Sequence, residues 1–252
     1  MSREAVKAMI PNPEVFSRRT NVLRSAGVLL ALVGPLALAL PVAVHAQEGA
    51  DSAVFRVGLG LTHLKFVDRS ATTSTHQFAI MDVGASKSFG GFFVGLDTEL
   101  PFNQGGTTTN NELVQTESVD VTGGYTFAGR WSLFGGAHYA KYDFWRNGLL
   151  FTRHTDKGPY VGGGYGFSVG QAGQLSVSLA YGDFKSDIGA GPGKSKGNSA
   201  SLTWSGDFRH GLQYYAKLRV LDYKFELDPG VVATGGRTVE KTIATLSAGI
   251  VF

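Results

Sequence analysis

The chain has 252 residues, a formal net charge of +3, 17% charged residues and 12% aromatic residues. Because it contains no cysteine, disulfide frameworks, thiolate metal sites and cysteine nucleophiles are excluded. Glycine is the unusual component: its 35 residues are roughly twice the usage of an average protein.

The first 46 residues have the three parts of a secretory signal peptide. Basic residues come first, the charge-free run from Ala26 to Ala46 follows, and Val44 and Ala46 are the small residues of a cleavage site. A membrane anchor is the alternative, but Pro35 and Pro41 interrupt the apolar run. We therefore expect a cleaved signal peptide at 1–46 and a mature chain at 47–252 that begins with Gln47 and forms one domain.

Removing the signal peptide changes the interpretation of the net charge. It carries five of the 23 basic and two of the 20 acidic residues, so the mature chain has 18 of each. The positive charge of the full chain is therefore no sign of a nucleic-acid partner. The stretch "SRRTNVLR" resembles a twin-arginine export signal, but Asn21 stands where that pattern has an apolar residue. We predict export through the general secretory route, with translation starting at Met1 or Met9.

The mature chain shows strand periodicity throughout. Apolar and polar residues alternate in ten segments that are separated by clusters of Gly, Asn, Asp, Ser and Thr. The predicted strands are 53–67, 76–88, 91–102, 112–127, 131–145, 157–169, 174–186, 198–208, 212–226 and 238–252.

Two all-β architectures produce this alternation, a soluble sandwich and a membrane barrel. Tight turns such as "FGG" alternate with five predicted loops of roughly eight to eleven residues, as in barrels with short periplasmic turns and longer outer loops. Aromatic residues recur on the apolar face next to the tight turns, which is typical of a girdle at a membrane interface. The predicted girdle consists of Phe55, Phe89, Phe92, Phe127, Trp131, Phe167, Phe208, Tyr214 and Phe252. We predict an all-β, transmembrane, antiparallel up-and-down β-barrel of ten strands, with eight as the fallback.

The last eight residues, "TLSAGIVF", carry a resemblance to a known class. Leu246, Ala248, Ile250 and the terminal Phe252 resemble the C-terminal signal of small bacterial outer membrane β-barrel proteins. The resemblance covers the mature chain in pattern and these eight residues in detail. It implies a monomer in the outer membrane of a Gram-negative cell envelope, in contact with lipid and lipopolysaccharide and assembled by the barrel assembly machinery.

The inward face of the predicted barrel carries charges of both signs on opposite sides. Acidic residues come from the second to fourth segments and basic residues from the ninth, tenth and first. These lumen charges are Arg56, Asp82, Asp97, Glu99, Asp120, Lys217, Arg219 and Lys241. Two interpretations stay open: the charges pair directly in a closed core, or they face each other across a narrow water-filled pore. We expect Asp97 and Asp120 to lie opposite Lys217 and Arg219.

An enzymatic role has little support in the sequence. Some small outer membrane barrels are proteases or lipid-modifying enzymes, but none of His63, His76, His138, His154 and His210 belongs to a His-x-Ser pair or to a metal-ligand spacing. The glycine cluster "GGGYG" lacks the following Lys-Ser/Thr of a phosphate loop. We predict no catalytic residue, no metal and no cofactor.

The predicted outer loops are 68–75, 103–111, 146–156, 187–197 and 227–237. The third has an apolar tip between two arginines, made of Arg146, Leu149, Leu150, Phe151 and Arg153. Either the tip folds over the barrel mouth, which we prefer, or it meets a partner or lipopolysaccharide phosphate. The predicted function is a structural envelope protein or a narrow, weakly selective, porin-like pore. Surface adhesion through the loops is the alternative.

Overall fold

The computed structural model describes residues 53–68, 73–103, 105–106, 112–128, 130–169, 173–187, 189, 191–207, 212–228 and 238–252. The predicted signal peptide, its cleavage site and Phe208 lie outside these residues. Within these ranges, no helix has the length and the apolar character needed to span a membrane.

The described chain is a single closed β-sheet. Every neighbouring pair of strands is antiparallel, and β1 pairs with both β2 and β11, so the sheet closes on itself. Its strands are β1 Ala53–Asp68, β2 Thr73–Phe89, β3 Phe92–Pro101, β4 Gly105–Gly106, β5 Glu112–Phe127, β6 Trp131–Arg146, β7 Leu149–Ser168, β8 Gln174–Asp187, β9 Pro192–Asp207, β10 Gln213–Leu227 and β11 Thr238–Val251. Ten are barrel strands. The remaining one, β4, has two residues and pairs with β2 and β5 beyond the end of the shorter β3. The prediction of a ten-stranded antiparallel barrel is confirmed.

The two ends of the barrel differ. One end, here called the turn end, carries the connections after β2, β5, β7 and β9. The start of β1 and the end of β11 lie at the same end. There the amide of Phe55 donates to the carbonyl of Phe252 at 3.0 Å, and the amide of Phe252 donates to the carbonyl of Phe55 at 2.8 Å. These bonds continue the β1–β11 ladder to the last residue, so no sheet edge is left at the seam.

The strands are strongly tilted. Following hydrogen-bonded neighbours once around the barrel from Arg56 leads back to β1 at Asp68, twelve residues farther along. With the usual spacings within and between strands, a displacement of twelve over ten strands corresponds to a tilt of roughly 40°. That tilt is typical of membrane barrels.

At the other end, here called the far end, the strands are longer than the alternation predicted. The predicted loop 146–156 is replaced by the turn Asn147–Gly148, because β6 and β7 stay paired up to Arg146 and Leu149. Both turn residues have positive φ, of 50° and 84°, as a two-residue hairpin turn requires. Likewise β1 and β2 leave only 69–72 between them, and β8 and β9 only 188–191.

The outer surface of the turn-end half is an apolar band bordered by aromatic residues. Leu59, Leu61, Leu133, Val161 and Leu179 each keep more than half of their surface exposed on it. At its border next to the turn end, Phe89, Phe92, Phe127, Trp131 and Phe252 are exposed, whereas Phe55, Phe167 and Tyr214 are half-buried. Three aromatic residues absent from the prediction lie beside them: Tyr125 against Phe92, Tyr165 against Trp131, and Trp204 against Tyr214.

Partway along the strands, the outer face of the sheet changes from apolar to polar and the inner face from polar to apolar. On β10 the outward residues change from Leu218 and Val220 to Asp222, Lys224 and Glu226. The inward residues of the same strand change from Lys217 and Arg219 to Leu221, Tyr223, Phe225 and Leu227. Strands β1 and β8 switch in the same way, at His63–Leu64 and at Asp183–Phe184. The far half therefore has a polar wall around an apolar interior, the reverse of the turn-end half.

An apolar plug fills the far half of the barrel. It consists of Leu64, Phe66, Phe78, Ile80, Val114, Ala140, Tyr142, Phe144, Phe184, Leu221, Tyr223, Phe225, Leu227, Val239 and Ile243, none more than 8% exposed. Aromatic rings make many of its contacts, with Phe184 edge-on to Tyr223 at 5.1 Å and Phe66 against Phe144 at 5.0 Å. These side chains occupy the interior of the far half with apolar groups that are removed from solvent.

Candidate functional site: the charged interior of the barrel

The charged residues of the barrel interior lie in the turn-end half, directly below the plug. Seven of the eight predicted lumen charges are found there: Arg56, Asp82, Asp97, Glu99, Asp120, Lys217 and Arg219. The eighth, Lys241, lies within the plug. Each of the eight contacts a residue of opposite charge, so the interior is a set of ion pairs and not two separated charged walls.

The first pair joins Lys217 on β10 to Asp82 on β2. The Lys217 ammonium lies 2.6 Å from Asp82 Oδ2, and the Ser247 hydroxyl donates to the same oxygen at 2.7 Å. Asp82 has no exposed surface, and the Lys217 side chain is 9% exposed. The expected position of Lys217 opposite Asp97 is therefore not the contact that forms.

Asp97 on β3 pairs instead with Arg56 on β1, across the strand between them. Arg56 and Asp97 are register neighbours of Gly84, which lies on β2 between the two residues. A Cβ atom at Gly84 would lie 2.8 Å from the guanidinium carbon and 2.9 Å from Asp97 Oδ1. The missing side chain of this glycine therefore makes the ion pair possible.

The third group is centred on Arg219 of β10. Its guanidinium donates to Asp120 Oδ2 at 2.9 Å and lies 3.6 Å from Glu99 Oε1. The other oxygen of Asp120 accepts a 2.6 Å hydrogen bond from His138 Nδ1. Asp120 and Arg219 thus meet as predicted from opposite sides of the barrel. His138 was not assigned to the site, although its parity with Gly136 places it on the inward face.

Lys241 is held in the plug by Asp156, whose other oxygen accepts the Ser186 hydroxyl. The ammonium also lies over the Tyr142 ring, 4.2 Å from its centroid. Asp156 is the last residue of the predicted outer loop 146–156, but the longer β7 carries it into the interior. His154 packs against the rings of Phe144 and Phe66 at 4.7 and 5.6 Å.

These arrangements leave little free charge for chemistry. Within the described residues, no group of three or more His, Asp or Glu side chains is placed to hold a metal ion. The His138–Asp120 pair has the form of an oriented base, but His138 Nε2 has no hydrogen-bond partner among the described residues. Among the described residues, no hydroxyl is hydrogen-bonded to this nitrogen as a nucleophile would be.

The apolar tip of the third predicted loop projects from the far end as part of the β6–β7 hairpin. Leu149, Leu150 and Phe151 are 69%, 43% and 62% exposed, so they do not pack over the barrel mouth. Arg146 pairs with Glu112 and stacks on Phe151, and Arg153 donates to Asp143 at 2.6 and 3.1 Å. Phosphate groups would have to compete with these carboxylates for both arginines.

Comparisons with known proteins give a fold and no closer relationship. No protein-family model matches the chain, and no curated protein matches its sequence. Among solved structures, the outer membrane protease OmpT of Escherichia coli is similar, with a TM-score of 0.53 and 10% identity over 83% of this chain and 99% of that one. Ail of Yersinia pestis has a TM-score of 0.37 and 12% identity, over 80% of this chain and 99% of that one. OprG of Pseudomonas aeruginosa also has a TM-score of 0.37 and 12% identity, over 81% and 97%. The chain thus has the fold of small bacterial outer membrane β-barrel proteins.

Proposed function

We propose that this protein is an integral outer membrane β-barrel that serves as a structural envelope protein with a sealed interior. In this proposal the apolar band of the turn-end half lies in the bilayer, and the polar wall of the far half stands in the extracellular medium. Aromatic residues at the borders of an apolar band, and short turns at one end, are what such barrels present to a membrane. The likeness to OmpT supports the fold on which this proposal rests.

The apolar plug is the observation that favours a structural protein over a pore. A conducting barrel needs a continuous polar path, and the fifteen buried residues of the plug interrupt it. The ion pairs below the plug support the same choice, because Lys217 and Asp82 are desolvated and joined directly. The proposed protein acts as a monomer, since a closed barrel offers no free strand edge for pairing, and it needs no cofactor and catalyses no reaction.

Conductance in a planar bilayer tests this proposal. The mature protein, refolded in detergent and inserted into the bilayer, is expected to give no stepwise current above the lipid baseline. A matched pair of variants strengthens the test: Phe184→Ala with Tyr223→Ala thins the plug, whereas Tyr139→Ala with Tyr181→Ala removes similar rings from the outer wall. Only the first pair is expected to raise the leak. Regular steps from the wild type, with cation selectivity that increases in Lys217→Met, would show a pore and refute the proposal.

A further inference from the structure

The turn-end half of the barrel encloses a polar cavity of about 200 Å³ below the plug. It exists because β8 and β9 place only small side chains inward at this level. These are Ser178, Ala180, Gly182, Ser199, Ser201 and Thr203. The charged residues occupy the opposite wall, and Arg56 and Asp97 keep 28% and 31% of their side-chain surface exposed. Phe184 and Tyr223 of the plug border the cavity on the far side, so we expect a solute to enter from the turn end.

The charged residues that line the cavity favour neither an anion nor a cation as its ligand. Arg56 is neutralised by Asp97, Lys217 by Asp82, and Arg219 by Asp120. An anion would have to break one of these pairs, and a cation would meet three positive groups. Because a buried ion pair is costly to separate, a neutral ligand is favoured over a charged one.

Hydrogen-bonding capacity, in contrast, is left unused on the charged wall of the cavity, where polar atoms of Arg56, Asp97 and His138 have no hydrogen-bond partner among the described residues. The His138 side chain is 3% exposed and lines the cavity, and its Nε2 has no partner among the described residues. The ring cannot turn away freely, because Nδ1 is held by Asp120 and the ring packs against Phe184 at 5.0 Å. A buried polar atom without a partner is uncommon, so this wall of the cavity is polar beyond the needs of its own ion pairs.

The rest of the lining suits a molecule with several hydroxyl groups. Ser178, Ser199 and Ser201 line the cavity on one side, with the Ser178 and Ser201 hydroxyls bonded to each other at 2.7 Å. The carboxylates of Asp97 and Asp120 line it on the other side. The rings of Phe134 and Tyr160, 6.4 Å apart, add an apolar surface for the C–H groups of such a molecule. The cavity has the volume of roughly six or seven water molecules, the size class of a hexose or a shorter polyol.

We infer that this cavity is a binding site for a small, neutral, polyhydroxylated solute that enters from the turn end. The charged wall with His138, Asp97 and Asp120 forms one side of the site, and the seryl wall of β8 and β9 supplies the contacts opposite it. The site lies below the plug, so it holds a solute without passing it across the barrel.

Saturation-transfer NMR on the refolded mature protein tests the site, with glucose and glycerol as probes and a phosphocholine detergent that carries no sugar. Ser199→Leu fills the cavity, and Ala200→Leu adds the same side chain to the outer face of the same strand as a control. Glucose is expected to receive saturation from the wild type and from Ala200→Leu, with at least tenfold weaker apparent affinity for Ser199→Leu. Should Ser199→Leu not fold, Thr203→Leu fills the cavity from its lower rim.

Three results would overturn the inference. If neither probe receives saturation, the cavity holds water alone. If both leucine variants bind glucose as the wild type does, the probe binds elsewhere. If inorganic phosphate displaces glucose at equal concentration, the site is ionic. Each result is independent of the conductance measurement, so the failure of this inference and the failure of the proposed sealed barrel are distinguishable.

Discussion

Lys217 shows how strongly a single interior residue depends on its partner. Its ammonium and the Asp82 carboxylate are both removed from water, and each is costly to bury alone. Removing one member of such a pair leaves the other uncompensated, which typically costs about 3–5 kcal/mol. The pair therefore matters for stability mainly because the loss of one member leaves an unpaired charge in the interior.

A double-mutant cycle tests this contact. Lys217→Met is expected to lower the free energy of unfolding by about 3–5 kcal/mol, and adding Asp82→Asn should recover part of that loss because the stranded charge is removed. Asp97→Asn is the matched control, since Asp97 pairs with Arg56, and it should recover nothing. Urea unfolding in lipid vesicles is measured for the wild type, the three single variants and the two double variants that contain Lys217→Met. Recovery by Asp97→Asn in place of Asp82→Asn would contradict the observed pairing.

The sequence predicted which residues point inward but not which of them touch. Parity along each strand places Asp82, Asp97 and Lys217 on the inward face, and that information is local. Whether Lys217 meets Asp82 or Asp97 depends on the twelve-residue displacement around the barrel, which involves all ten strands together. The Arg56–Asp97 contact also needs an absent side chain at Gly84, a feature visible only once three strands are aligned.

At the scale of the strand, the main feature is the exchange of faces. On β1, outward Leu59 and Leu61 precede outward His63 and Lys65, while inward Gly60 and Thr62 precede Leu64 and Phe66. One strand can thus cross lipid in one half and form the wall of a water-exposed barrel in the other. Strands of 14–20 residues, apart from β3 and β4, exceed the 9–11 or so that crossing a bilayer needs.

Two substitutions on β1 separate these environments. Leu59→Lys places a charge in the apolar band and is expected to cost about 2–4 kcal/mol, as for lysine near the middle of a bilayer. His63→Lys, four residues farther on the same face, should change stability by no more than about 0.5 kcal/mol, because that position meets water. Unfolding in vesicles gives both values. Equal costs at the two positions would mean that the band extends past His63.

The exchange of faces was not predicted, although its signal is in the sequence. Alternation predicts the strands, and it continues through His63–Leu64 and Asp183–Phe184, where the apolar side chains change from the outward to the inward face. The far ends of β7 and β9 fall in the predicted loops 146–156 and 187–197, whereas the predicted strand 174–186 covers nearly all of β8. The number of barrel strands was predictable because turn residues mark most of the boundaries at the turn end.

At the scale of the whole molecule, one barrel has two halves of opposite character. The turn-end half has an apolar outer surface, paired charges and a polar cavity, whereas the far half has a polar outer surface and an apolar core. All barrel strands except the shorter β3 run from one half into the other. The far half then holds the β6–β7 hairpin, with its exposed tip at Leu149–Phe151, well away from the apolar band.

A spin-label scan along β10 tests this two-part organisation most directly, and the absence of native cysteines allows single labels without background. Cysteines replace outward residues Leu218, Val220, Asp222, Lys224 and Glu226 in the vesicle-embedded protein. Collisions with oxygen report lipid, and collisions with a water-soluble nickel complex report solvent. We predict lipid exposure at 218 and 220 and water exposure at 222, 224 and 226. Lipid exposure at all five positions, or water exposure at all five, would contradict the account.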